Sequence, residues 1–311
     1  MLVQDPPVEV SPKLWMLGTN EYPFYLFRGR DQATLFEGGI RSTGPVLREQ
    51  LQSLGVPTDS VKQLVVTHAH PDHVMAVPTI RQLCSAVQVL ASELAAQTLA
   101  AEKAVAFFCK LDEVLTGSLV RAGLVPDAGP PQPLTEPRIA VDRILQEGDA
   151  VVVDEGVAFQ VLATPGHSDC LLSFHEPGSK VLIVSDTTGY YLPQLDYYWP
   201  NYFTDYGAYV RSLERLAGLD AEVLCLSHNG VIRGAAAVAA FLANVLAVTK
   251  TYHTRIVDAA KAGQTVREIA ATLGAEVYEK TPLMPLDFFQ KNCALLVKQS
   301  LRHEGIQAER L

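Results

Sequence analysis

The chain has only five cysteines, Cys84, Cys109, Cys170, Cys225 and Cys293, and no two stand at CxxC spacing. An odd, scattered set shows no disulfide framework and reads as reduced core thiols in a cytoplasmic protein. Basic residues are also scarce, with 25 Lys and Arg against 34 Asp and Glu and a formal net charge of −9. An acidic chain has no long-range attraction for polyanions, so no nucleic-acid partner is expected. The longest apolar helical run, Ala235 to Val248, falls short of the roughly 18 residues of a membrane span. It is expected to be a buried or interface helix, with no membrane association. The first residues, MLVQDPPVEV, lack the basic and then apolar order of a signal peptide. GxSxG is absent too, which disfavours a covalent serine mechanism. Neither an internal repeat nor a low-complexity linker is present.

Apolar residues make up 48% of 311 positions and charged residues 19%, enough for a sizeable core in one large domain or two smaller ones. Short apolar strands are expected around Leu14 to Leu17, Phe24 to Phe27 and Ala33 to Phe36, as an antiparallel meander. Pro45 to Leu54 has helical spacing, with Gly55 as its cap. The strand VKQLVVT follows, then a helix from Asp72 with Pro71 near its first turn. VQVLAS is the next strand. Glu93 to Gly123 is a helical tract with a break near Thr116–Gly117, and the proline-rich stretch Val125 to Pro137 is a surface excursion. Strands return in DAVVV, FQVLATPGH, CLLSFHE and KVLIVSD. An aromatic stretch, GYYLPQLDYYWPNYFTDY, precedes a helix over Ala208 to Leu216 and the strand EVLCLSH. From Gly234 the pattern is helical, except for a turn at Thr281 to Pro285. Mixed strands with helices outside them suggest a layered α/β/β/α sandwich with a helical tail.

The chemistry concentrates in THAHPDH, residues 67–73. After a strand, His68 and His70 share a face, and Asp72 and His73 can reach across the same cleft. Imidazole and carboxylate suit zinc, and also iron or manganese. Three later strands end the same way: His167 after FQVLATPG, Asp186 after KVLIVS and His228 after EVLCLS. A lone histidine after a strand is usually a packed or surface residue, but this agreement among four strand ends points to metal. Seven such ligands are enough for two metals about 3.5–4 Å apart. His175, His253 and His303 fit no such position and are read as ordinary packed or surface histidines. Cys170, although near His167, is read as a packed thiol.

THAHPDH, PGH at 165–167, SD at 185–186 and SH at 227–228 together resemble the metallo-β-lactamase superfamily, over roughly residues 10 to 233. The resemblance implies an α/β fold, a four-layer αββα sandwich, with a C-terminal helical subdomain. The catalytic domain would span 1–233, with a helical insertion at about 93–124, and a helical cap would span 234–311. It also implies two divalent metal ions, zinc in the first place, with iron or manganese as alternatives. One metal takes His68, His70 and His167, the other Asp72, His73 and His228, and Asp186 bridges them. The helical tail resembles that of the glyoxalase II branch and of the quinolone-signal thioesterase branch, and FEGGI at 36–40, VQVLASE at 87–93, the single long helical insertion and SLERLAGL at 212–219 make the second likeness the closer.

From this site the expected activity is hydrolysis of a carboxylic thioester or ester, such as an acyl-CoA or lactone, by a metal-bridging hydroxide. Asp72 would orient the water or pass its proton to the leaving group. The aromatic stretch begins four residues after Asp186, so Tyr190, Tyr191 and Phe203 are candidate substrate contacts. Packing on the helical tail would equally account for these aromatics. Alternatives on the same ligand set are a phosphodiesterase, a persulfide dioxygenase with one iron, and a regulatory protein acting through partner contacts. The expected partner is a small acyl ester or thioester. A homodimer through the Ala-rich helix 235–248 is a further expectation, matched by an intramolecular role for that helix.

Overall fold

The structure is a computed structural model that describes residues 1–125, 127, 134 and 136–307. Most of the expected surface excursion between Val125 and Pro137 lies outside the described residues. By packing, the chain divides into two units that alternate along the sequence. The first holds Met1–Ala163, Cys170–Ser185 and Asp220–Val238; the second holds Thr164–Asp169, Asp186–Leu219 and Ala239–Leu311.

The first unit contains, among the described residues, two seven-stranded sheets. The short β1 (Leu2–Val3) joins the far sheet. The near sheet opens as the expected meander: β2 (Val8–Ser11), β3 (Leu14–Gly18), β4 (Pro23–Arg28) and β5 (Ala33–Phe36). Then β6 (Val61–Val65), β7 (Gln88–Ser92) and β8 (Arg143–Leu145) add in parallel. Parallel pairing needs crossovers, and helices supply them. These are α1 (Thr43–Ser53), α2 (Val77–Leu83), and the pair α3 (Glu93–Leu99) and α4 (Glu102–Arg121). Gly55 ends α1 at φ +63, with Gly55 N–H on the Gln52 carbonyl and Val56 N–H on that of Leu51. Only a residue at ease in the left-handed region closes a helix this way.

The far sheet contains β9 (Ala150–Asp154), β10 (Val157–Ala163), β11 (Leu172–Glu176) and β12 (Val181–Ser185). The chain then makes β13 (Tyr190–Leu192) and β14 (Tyr197–Trp199), a hairpin in the second unit, before β15 (Val223–Leu226) and β16 (Val231–Arg233) complete the far sheet. Strand β11 is antiparallel to both β10 and β12, and β12 is parallel to β15. So β10, β12 and β15 run the same way and end at one edge.

Alternation along the strands builds two cores. In β4, Phe24 and Leu26 face α1 to α4, where they meet Leu47, Leu51, Val77 and Ile80. Tyr25 and Phe27 face the other sheet, where Phe36 lies 4.9 Å from Phe159 and 5.3 Å from Phe174. Each such ring or leucine, fully buried, stabilises the fold by about 1.5–3 kcal/mol. Helix α4 is also tied by charge. Arg41 Nε donates to Asp112 at 2.6 Å, and its backbone N–H donates to the same carboxylate at 3.0 Å. Both side chains are buried. Burial nevertheless pushes the Asp112 carboxyl up, against the pull of Arg41. The pair fixes where α4 sits more than it adds stability.

Two local expectations need correction. No helix starts at Asp72: Pro71–His73 is a single 3-10 turn, and α2 begins only at Val77. Gly38 explains this, since its carbonyl takes the Ala76 N–H and a side chain there would meet the His73 carbonyl at 2.4 Å. The helical tract after β7 breaks at Ala100–Ala101, where the Leu99 carbonyl accepts from Ile139, and it runs unbroken through Gly117.

In the second unit, α5 (Tyr206–Ala217) is capped by Asp205, whose side chain accepts from Ala208 N–H. Helix α6 (Ala235–Lys261) belongs to this unit from Ala239. It is longer than the sequence suggested, and at 27 residues one window reaches a mean hydropathy of 1.4. By length and composition that is enough to cross a membrane. Val238, Phe241, Leu242, Val245 and Thr249 are buried, however, while the Ala239, Ala240, Ala243 and Ala247 face is exposed. A reciprocal Thr265–Glu268 capping box starts α7 (Val266–Lys280). Gly274 lets α7 touch the backbone of α8 (Leu286–His303) at Gln290. Aromatic side chains fill the unit. Trp199 lies 5.6 Å from Phe289, and the Tyr197 and Tyr252 hydroxyls are 2.6 Å apart.

Candidate metal centre

The extension of β6 carries the histidine-rich stretch. Val66 N–H bonds to Leu90 O and Leu172 N–H to Thr67 O, so the chain stays extended through His68 and keeps His68 and His70 on one face. His68 Nε2 and His70 Nδ1 face each other at 3.0 Å. The buried Cys170 sulfur accepts from Ala69 N–H between them, a packing role. The 3-10 turn then brings Asp72 and His73 round. Asp72 Oδ2 is 3.5 Å from His73 Nε2 and 3.7 Å from Nε2 of His228, which follows β15. The histidines are buried, but the Asp72 side chain is a quarter exposed and is the member of this trio open to solvent.

In the second unit, His167 and Asp186 approach at 3.2 Å, Nε2 to Oδ2. Gly166, at φ +125, lets this loop press on Tyr209, whose backbone nitrogen would lie 2.3 Å from an added Cβ. Ser212 donates to the Pro165 carbonyl, and Thr204 and Asp205 N–H to that of Gly166. The ring of Phe203 lies 5.1 Å from that of His167.

The remaining ring nitrogens decide the chemistry. His73 Nδ1 donates to Glu37 Oε2 at 2.8 Å, His228 Nδ1 to Glu21 O at 2.7 Å, and His167 Nδ1 to Asn201 O at 2.8 Å. Each fixed tautomer leaves Nε2 as a lone-pair donor. His68 Nδ1 lies 3.3 and 3.4 Å from the Thr67 and Ser185 hydroxyls, so its Nε2 is the acceptor as well. Within the first unit, Asp72, His73 and His228 offer ligand atoms within 4.8 Å of one another. Of the residues expected as ligands, His68, His70, Asp72, His73 and His228 lie in the first unit and His167 and Asp186 in the second, and their nitrogen and carboxylate donors are of the kind that suits a divalent metal.

Among the candidate substrate contacts, Phe203 lies beside His167. Tyr191 donates its hydroxyl to Asp196 and packs on Tyr198 and on Phe241 of α6; burial pushes its phenol up. Tyr190 is half-buried at the start of β13. Sequence reasoning missed Glu37, Thr67 and Ser185, the side chains behind the ligands. A single acid or hydroxyl at a strand end has no ligand spacing. The signal available was the glycine pair after Glu37, which marks a close backbone approach.

A two-sheet α/β sandwich with histidine and aspartate gathered where strands end defines a metal-binding protein of the αββα class. The chain belongs to the metallo-β-lactamase superfamily, whose sequence model matches residues 22–228. Among solved structures it is similar to a metallo-β-lactamase family protein from Thermus thermophilus, at 23% identity and a TM-score of 0.65, covering 96% of this chain and 95% of that one. It is also similar to a subclass B3 metallo-β-lactamase of Bradyrhizobium japonicum, at 17% identity and a TM-score of 0.58, covering 85% and 98%. A superfamily protein from the archaeon Sulfolobus tokodaii matches at 19% identity and a TM-score of 0.56, covering 75% and 84%. These likenesses carry the fold. The superfamily consists mostly of metal-dependent hydrolases.

Proposed function

We propose that the chain is a dinuclear metal-dependent hydrolase of carboxylic thioesters or esters, an acyl-CoA or a lactone being the substrate class. The observation that carries this reading is the tautomer set. His73, His167 and His228 each give their Nδ1 proton to an acceptor behind them and keep Nε2 for a metal. One ion would use His68, His70 and His167, the other Asp72, His73 and His228, with Asp186 shared. Two bound divalent ions supply a hydroxide nucleophile at neutral pH and polarise the acceptor oxygen.

The chain's own residues do the rest. Asp72, the solvent-reaching carboxylate, orients the attacking water and passes a proton to the leaving group. Burial pushes the thiol of Cys84 up to about 11 and that of Cys293 up to about 12, and raises that of Cys225 as well, so none of these three competes as nucleophile. Phe203, packed on His167, is an apolar wall for the acyl group. The likeness of the helical tail to the glyoxalase II and quinolone-signal thioesterase branches, and of FEGGI and SLERLAGL to the second, favours a thioester over a phosphodiester.

The test is a panel of acyl-CoA thioesters, a lactone and a bis-aryl phosphodiester, assayed with the zinc-loaded chain. Turnover of thioesters above the phosphodiester supports the reading. Good turnover of the phosphodiester with none of the thioesters overturns it, as does one iron per chain with oxygen uptake on a persulfide.

A further inference from the structure

Behind the ligands, a line of buried side chains joins His68 to His73. Glu37 Oε2 accepts from His73 Nδ1 at 2.8 Å and from the Thr67 hydroxyl at 2.9 Å. Thr67 Oγ1 lies 2.9 Å from Ser185 Oγ, and His68 Nδ1 lies 3.3 Å from Thr67 Oγ1 and 3.4 Å from Ser185 Oγ. Only one direction of donation is consistent. A carboxylate oxygen can only accept, so the single Thr67 proton goes to Glu37. Thr67 then accepts from Ser185, and His68 Nδ1–H is shared between the Thr67 and Ser185 oxygens. Every proton in the line points toward one carboxylate, and both ends are imidazoles whose other nitrogen stands in a ligand position.

We propose that Glu37 is a positioning residue for both metal positions at once, directly through His73 and at one remove, through Thr67 and Ser185, for His68. This rests on the dinuclear reading above. An acceptor behind a ligating histidine fixes the ring and raises the basicity of the ligating nitrogen. Through neutral hydroxyls the same polarisation is passed on more weakly. Water cannot stand in for any member, because Glu37 is 2% exposed and Thr67, Ser185 and His68 are fully buried. The backbone holds the acid in place: Glu37 N–H bonds to Val65 O, and Gly38 gives the His73 carbonyl room. Among the described residues Oε1 of Glu37 has no hydrogen-bond partner, so its side-chain hydrogen bonds fall on Oε2.

The experiment is a Zn²⁺ titration of the full chain against a competing chromophoric chelator, with Co²⁺ absorption spectra as a second readout. His228→Ala and His70→Ala mark the two positions. Glu37→Gln is expected to weaken the position marked by His228→Ala by about 10–100-fold, and the other by less. Thr67→Val is expected to weaken only the position marked by His70→Ala, with Thr67→Ser restoring it. Ser185→Ala, which leaves the Thr67 contact to His68, is expected to weaken the same position by less and serves in its place if the Thr67→Val chain does not fold. A Glu37→Gln effect confined to the His228-marked position, or hydroxyl variants with wild-type affinity at both positions, overturns the proposal and leaves the dinuclear reading standing. A wild-type chain that holds one zinc overturns both.

Discussion

Two histidine clusters in this chain look alike in composition and differ in construction. The strand-end cluster sets His73 and His228 around Asp72, with each Nδ1 tied behind and each Nε2 turned toward the carboxylate. The helical cluster sets His253 of α6 and His303 of α8 around Tyr206, with Glu304 nearby. There His253 stacks on Tyr206 at 3.9 Å and 9°, His303 meets the same ring edge-on at 4.9 Å, and His253 Nε2 is 3.2 Å from Glu304. Among the described residues, no three ligand atoms converge in it. Rings packed face to face bury imidazole as aromatic surface. Rings held from behind present it as a donor. Outer acceptors, more than the count of histidines, separate a metal site from a packed interface.

The sharpest way to break this contrast is to remove one acid from each cluster. Asp72→Ala is expected to lower thioester turnover by about 10²–10⁴-fold, whereas Glu304→Gln stays within about twofold; steady-state kinetics on the same substrate compares them. Next in size is stabilisation by metal. Saturating zinc, at about a thousandfold over its Kd, is expected to add about 4 kcal/mol to the wild type. His303→Ala keeps that gain and His228→Ala loses much of it, as thermal melts with and without zinc would show. A smaller effect tests the mount of His167. Gly166→Ala forces a Cβ onto the Tyr209 backbone at a left-handed φ and is expected to cost about 1–3 kcal/mol in urea unfolding.

The smallest effect belongs to the helical cluster. Burial holds His253 below its ordinary 6.5, against the pull of Glu304 and with His303 adding to the depression. The unfolded chain therefore takes up this proton first. The stability it governs is complete above pH 6.5 and is lost as pH falls through 6.5 toward the folded value. The loss is expected to be under about 1 kcal/mol for a partly exposed group. Urea unfolding at pH 7.5 and 5.5 should show that slope reduced in His253→Gln.

The candidate ligands His68, His70, Asp72, His73, His167, Asp186 and His228 were named from the sequence because apolar strands lead into them and because of their spacing. The turn at Pro71–His73 was not legible, because Pro71 fits a helix start as well as a 3-10 turn. A tertiary bond, Ala76 N–H to Gly38 O, decides between them. The break at Ala100–Ala101 was hidden for a related reason. Alanine favours helix, and the bond from Ile139 to the Leu99 carbonyl overrides it. The line through Glu37, Thr67 and Ser185 joins three strands distant in sequence, and no local pattern announces such a contact.

The central claim is that the strand-end cluster binds two metal ions and the helical cluster none. Anomalous diffraction at the zinc edge from zinc-loaded crystals tests it most directly. The account predicts two peaks about 3.5–4 Å apart, one on His68 and His70 and the other on Asp72, His73 and His228. A single peak at the strand ends, or a peak between His253 and His303, would contradict it.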